Sequence, residues 1–239
     1  MKNLKNASKR SLAGMVVVGL LSLLLSSCLK DNNTYYVPPA ALVTFIQASP
    51  GQPPMDLYLD NNRVAHYPVY YTNQVDYFRA FTGKRNVNLY YTGTTNKIFS
   101  DTVTLKQDVA YSLFLANTTA HPDLVLLIDS VAKPSTGNAS VRFVNLSPDA
   151  PAVDFAVKGS APLVTNKAYK GHSSFIPVPG NVNYSFEVRQ KGISTVLATL
   201  VDVNLTTGFV YTIYFHGLAA GTTSNDKLAA DIVTNAFYY

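Results

Sequence analysis

Residues Val43–Leu59 read VTFIQASPGQPPMDLYL, and residues Val141–Val157 read VRFVNLSPDAPAVDFAV. Aligned without a gap, six of the 17 positions are identical: Val43/Val141, Phe45/Phe143, Ser49/Ser147, Pro50/Pro148, Pro53/Pro151 and Asp56/Asp154. Ile46/Val144, Gln47/Asn145 and Met55/Val153 are conservative exchanges. A second block, LKQDVAYSLFL from Leu105, matches LTTGFVYTIYF from Leu205, sharing Leu105/Leu205 and Tyr111/Tyr211. Between the two, Phe78-x4-Gly83 matches Phe175-x4-Gly180. Three blocks in one order at a near-constant spacing mark a repeated structural unit, here a duplicated domain.

Working outward, the periodicity in each copy is that of strands. Val141, Phe143 and Asn145 fall on one face, and Arg142, Val144 and Leu146 on the other. Tyr184, Phe186 and Val188 alternate with Ser185, Glu187 and Arg189, the pattern of a half-buried strand. Val109–Leu115 and Phe209–Phe215 are apolar on both faces, as central strands are. The Ser-Pro-x-x-Pro runs at Ser49-Pro50 and Ser147-Pro148 break the ladder and force a turn. Asp56 and Asp154, just beyond, are expected to hydrogen-bond that turn's backbone and fix the entry of the next strand. Roughly seven strands per copy predict an all-β chain of two tandem immunoglobulin-like β-sandwich domains, each with its own core.

The first domain is placed at residues 41–132 and the second at 139–239, joined by a linker at 133–138 of composition KPSTGN. Residues 1–27 read as a signal peptide: Lys2, Lys5, Lys9 and Arg10 precede an uncharged run from Leu12 to Leu25, short for a membrane span. Leu25-Ser26-Ser27-Cys28 resembles a lipobox, which makes Cys28, the chain's one cysteine, the lipidated residue and excludes an internal disulfide. Lys30 and Asp31 resemble the export signal of Bacteroidetes lipoproteins, and residues 28–40 form the tether. The expected location is the outer membrane, lipid-anchored and facing the cell exterior, with the periplasmic face as the alternative. The formal charge of +5 falls to +1 once the four basic residues of the signal are removed, so no nucleic-acid partner is expected.

Few residues form a reactive pattern. His66, His121, His172 and His216 lack ligand spacing, and neither acid pair, Asp56 with Asp60 or Asp149 with Asp154, has the oxygen count of a calcium site. No metal, cofactor or catalytic residue is therefore expected. No serine lies in a nucleophile elbow and no glycine run forms a phosphate loop. Tyrosine is abundant, sixteen residues with no tryptophan, and Tyr67, Tyr70 and Tyr71 cluster in a stretch without strong periodicity. Exposed there, they offer a recognition platform for a glycan or an envelope protein.

The run Val141–Asp154, with Tyr169, Gly180 and Tyr211-Thr212 downstream, resembles DUF4397, a domain of unknown function. Its members occur, often in tandem, in secreted and lipid-anchored bacterial proteins. The first copy departs from the pattern at Gly51-Gln52 and lacks the Tyr-Thr pair. The resemblance implies a β-sandwich at the cell envelope and assigns no catalytic residues. The sequence thus points to a non-enzymatic, lipid-anchored module for binding, adhesion or spacing. The alternative is a carbohydrate-binding accessory lipoprotein of a glycan-uptake system.

Overall fold

The computed structural model describes residues 37–239, so the signal peptide, Cys28, Lys30 and Asp31 lie outside the described residues. The first copy holds β1 (Ala40–Gln47), β2 (Met55–Leu59), β3 (Asn62–Arg63), β4 (Gln74–Phe81), β5 (Gly83–Tyr91), β6 (Lys97–Leu105), β7 (Ala110–Ala116) and β8 (Asp123–Ile128). The second holds β9 (Asn138–Asn145), β10 (Val153–Val157), β11 (Pro162–Lys167), β12 (Ile176–Pro179), β13 (Val182–Gln190), β14 (Val196–Leu205), β15 (Phe209–His216) and β16 (Ala229–Phe237). The described chain is all-β, two β-sandwiches of two four-stranded sheets each.

The sheets repeat strand for strand. Order β4-β1-β7-β8 over β3-β2-β5-β6 in the first copy becomes β12-β9-β15-β16 over β11-β10-β13-β14 in the second. In both copies the first strand runs parallel to the seventh, with Val43 opposite Tyr111 and Val141 opposite Tyr211. Each copy has eight strands; in the first, β3 is only two residues long and easily missed in a sequence pattern. The Phe78/Phe175 match is one residue out of step. Val43 faces Phe78, but Val141 faces Ile176, so Ile176 is the structural counterpart of Phe78. A one-residue slip turns a side chain to the opposite face of its sheet. Phe175 accordingly lies against the Arg142 guanidinium, 4.7 Å from its ring centroid.

Each sandwich closes over its own core, built on Phe45, Leu57, Leu89 and Leu113 in the first copy and on Phe143, Phe155, Phe186 and Ile213 in the second. The equivalent residues Tyr111 and Tyr211 lock the strand approaching each of them, their hydroxyls accepting the Lys106 and Thr206 N–H groups at 3.1 and 3.2 Å.

Beyond the two separate cores, a third core joins the copies. Ile46, Phe114, Val125 and Leu127 of the first copy pack with Val144, Leu146, Tyr214 and Val233 of the second, all nearly or fully buried. This explains the strands that are apolar on both faces: one face fills the sandwich and the other fills the junction. Residues Pro39–Tyr239 form one compact unit. The segment 133–138 is held at the C-terminus as well, where Lys133 Nζ donates to the Tyr239 carbonyl at 3.1 Å.

Candidate functional site

The turn residues come together as designed pairs. The Gln47 and Asn145 side-chain oxygens accept the N–H groups of Ser49 and Ser147 at 2.6 and 3.0 Å. The serine hydroxyls then donate to the carbonyls of Asn117 and Gly217 at 2.7 and 2.8 Å, tying the Ser-Pro turn to the end of the seventh strand. Both residues that supply the accepting carbonyls adopt a left-handed backbone, with φ of 69° at Asn117 and 89° at Gly217. Asn tolerates that conformation, whereas at Gly217 a Cβ would collide with the Lys227 carbonyl oxygen, so only glycine fits. Pro50 is buried and Pro148 half-buried beside them.

Asp56 and Asp154 act elsewhere than expected. Each bonds not the Ser-Pro turn but the hairpin turn after the fifth strand, accepting the Gly93 N–H at 3.0 Å and the Gly192 N–H at 2.9 Å. Asp56 also pairs with Arg63 at 2.6 Å, and Asp154 accepts the Asn166 N–H at 2.7 Å. Their partners are backbone amides and one arginine, a structural clamp. Among the described residues no group of three or more His, Cys, Asp or Glu is placed to hold a metal ion.

Two constellations arise only where the copies meet. The first is a buried polar cluster. Arg142, 2% exposed, pairs with Asp129 at 2.7 Å and donates to the Thr212 hydroxyl and the Ile128 carbonyl at 2.9 and 3.1 Å. Asp129 accepts the Tyr77 hydroxyl at 2.5 Å and the Ser112 hydroxyl at 2.9 Å. Thr212 donates to Asn235 Oδ1 at 2.6 Å, and Asn235 Nδ2 returns to Ser112 at 3.0 Å. With every member partnered, the cluster fixes the register of one copy on the other.

The second is an open cleft of about 500 Å³, walled by Tyr70, Tyr71 and Gln52 from the first copy and His216, Asn225 and Asp231 from the second. Buried His216 bridges the copies: Nδ1 lies 2.6 Å from the Tyr71 hydroxyl and Nε2 lies 3.0 Å from the Asp231 carboxylate. The Tyr71 ring meets the imidazole edge-on, with centroids 5.3 Å apart. Burial, then the nearby charges of Asp231 and Asp226, push the Tyr71 hydroxyl well above its ordinary range. The phenol therefore stays protonated at neutral pH, and the imidazole is held between it and the Asp231 carboxylate. The predicted tyrosine trio is split by the fold. Tyr70 is 54% exposed on the cleft, Tyr71 is packed into its wall, and Tyr67, 49% exposed, stands outside it.

Tyr77, Tyr169 and Tyr214 are shifted upward like Tyr71, in each case chiefly by burial. Their folded values lie above the unfolded value near 10, so this stability is fully present below about pH 10 and is lost as pH rises through the folded values. An alkaline titration followed at 295 nm is expected to show the exposed phenols ionising first and these four only with loss of the β signal in circular dichroism. Ionisation of all sixteen tyrosines in one step near pH 10, with the fold intact, would contradict the burial of these hydroxyls.

Residues 41–156 match the family model described as "Domain of unknown function (DUF4397)". The chain carries a DUF4397 domain. The matched stretch runs through the first copy and on through β9 into β10, and the strand order extends the same architecture to the rest of the second copy. No curated protein matches the chain. Among solved structures, a family-26 carbohydrate-binding module of Eubacterium rectale Amy13K, determined with maltoheptaose, shares 13% identity over 82% of this chain and 97% of that one, at a TM-score of 0.28. A streptococcal virulence factor described for α-glucan binding shares 12% over 74% and 92%, at 0.23. The Bacillus anthracis TIE protein shares 9% over 82% and 44%, at 0.24. Likenesses this slight carry no functional argument.

The clustering of tyrosines pointed to Tyr67, Tyr70 and Tyr71, while no motif in the sequence marked His216, Asp231, Arg142 or Asp129 as site residues. Tyr71 and His216 lie 145 positions apart, beyond any local motif. One signal was present: Arg142 is a lone charge in a strand apolar on both faces.

Proposed function

We propose that this DUF4397 chain is a non-enzymatic binding module carried on a lipid at Cys28, with Lys30 and Asp31 directing it to the outer face of the outer membrane. The observation that carries the reading is the junction cleft, a preformed recess with walls from both copies. Its chemistry suits recognition better than turnover. Tyr71 is held protonated and is hydrogen-bonded to His216, which is itself committed to Asp231, so this relay presents no activated nucleophile. A carbohydrate-binding role in glycan uptake is the second reading, favoured by the exposed ring of Tyr70 beside polar walls.

Protease added to intact cells tests the placement, with Cys28→Ala as control. Digestion from outside, together with release of the Cys28→Ala protein from the membrane, is expected. Protection until the outer membrane is broken would overturn surface display. Turnover of a polymer by the pure protein, abolished by one substitution, would overturn the non-enzymatic reading.

A further inference from the structure

The junction cleft is distinguished by the charges that line it. No Lys or Arg lines it, and its one carboxylate belongs to Asp231, whose side chain is 44% exposed. Phosphates, sulfates and carboxylates would meet a negative wall without a cationic partner, which disfavours anionic ligands. What the cleft does offer is a flat aromatic face, an acceptor and amide groups. Tyr70 presents an exposed ring to the cleft. Asp231 uses Oδ2 for His216, leaving Oδ1 to accept a hydroxyl. Asn225 is exposed at the rim, and Gln52 forms part of the wall, its buried Nε2 without a hydrogen-bond partner. A buried amide left unpaired is costly, and a ligand oxygen supplying the missing acceptor gains that energy back on binding.

From these features we infer that the junction cleft binds a neutral saccharide, one face of a sugar ring on Tyr70 and its hydroxyls shared between Asp231 and the amides of Asn225 and Gln52. The inference rests on the binding-module reading and deepens it. The volume of about 500 Å³ falls within the range of small-molecule sites. Because opposite walls come from different copies, the duplication itself creates the site, and neither sandwich alone contains it. The relay through His216 positions Asp231 and Tyr71 without entering the ligand contact.

The test uses the whole chain in a zwitterionic detergent, titrated calorimetrically with malto-, cello-, xylo-, manno- and galacto-oligosaccharides. Spermidine serves as the cationic probe and a heparin oligosaccharide as the anionic one. At least one neutral series is expected to bind, weakened about tenfold by Tyr70→Ala and a few-fold by Asn225→Ala, both exposed positions at which folding is unaffected. Saccharide binding that both variants leave unchanged would move the site elsewhere and overturn the cleft, while the binding-module reading stood. Binding of spermidine or heparin alone, or of no probe, would overturn the saccharide. Shortened oligosaccharides in the same mixtures, detected by chromatography, would instead overturn the non-enzymatic reading.

Discussion

Arg142→Met is expected to cost the protein about 3–5 kcal/mol, read as a fall in the urea midpoint at unchanged slope. The size follows from what is left behind. The Asp129 carboxylate has no exposed side-chain surface, and Arg142 is its one cationic partner. Tyr77 and Ser112 still donate to it, but two neutral hydroxyls do not replace a guanidinium. The lost partner also strips a donor from Thr212 and from the Ile128 carbonyl. Pairing Arg142→Met with Asp129→Leu is expected to recover much of the loss, since removing both charges removes the unpaired one. If Arg142→Met alone costs less than about 1 kcal/mol, water or a rearranged side chain reaches Asp129 and the cluster is not sealed.

Much of this architecture was legible in the chain, because it is written in periods of two. The repeat at Val43 and Val141, the Ser-Pro turns and the alternation from Tyr184 to Val188 fall on the strands and turns they predict. What a sequence pattern reports is that a face is apolar, not what covers it. Phe114 and Tyr214 were visible as apolar residues on the second face of a strand; that they cover each other depends on contacts between residues far apart in the chain. The same limit hid the cleft, whose Tyr71, His216 and Asp231 converge from three segments. Asp56 and Asp154 show a different limit. Their recurrence marked them as structural, but an aspartate beside a turn can bond any amide that tertiary packing brings near, and here packing brought the next hairpin.

The junction is also where the duplicated copies have diverged. Equivalent faces meet, as in an isologous dimer. Phe114 and Tyr214, matching positions in β7 and β15, pack with ring centroids 5.9 Å apart. Symmetry is broken at Thr44 against Arg142 and at Ala116 against His216, matching positions that supply the ion pair and the imidazole of the cleft to one side only. A symmetric pair would have placed two like charges or two like rings there.

Phe114→Ala tests whether that junction makes the two copies one folding unit. Phe114 is fully buried and belongs to the central core, not to the core of its own sandwich. Truncating a buried phenylalanine costs about 3–5 kcal/mol, and here the ring pair with Tyr214 is lost as well. The loss falls on the coupling between copies. The unaltered chain is expected to melt in one calorimetric transition, and Phe114→Ala in two, with the individual sandwiches intact. Phe143→Ala is the contrast: its ring stacks on Phe155 inside the second sandwich, 4.8 Å between centroids. It should destabilise that copy directly, and the first copy only through the junction. A single transition in Phe114→Ala with a loss below about 1 kcal/mol would mean that the central core adds little, since a well-packed ring of this size cannot be removed so cheaply. Two transitions already in the unaltered chain would mean that each sandwich is sufficient alone, and that the polar cluster sets orientation without joining the two folds.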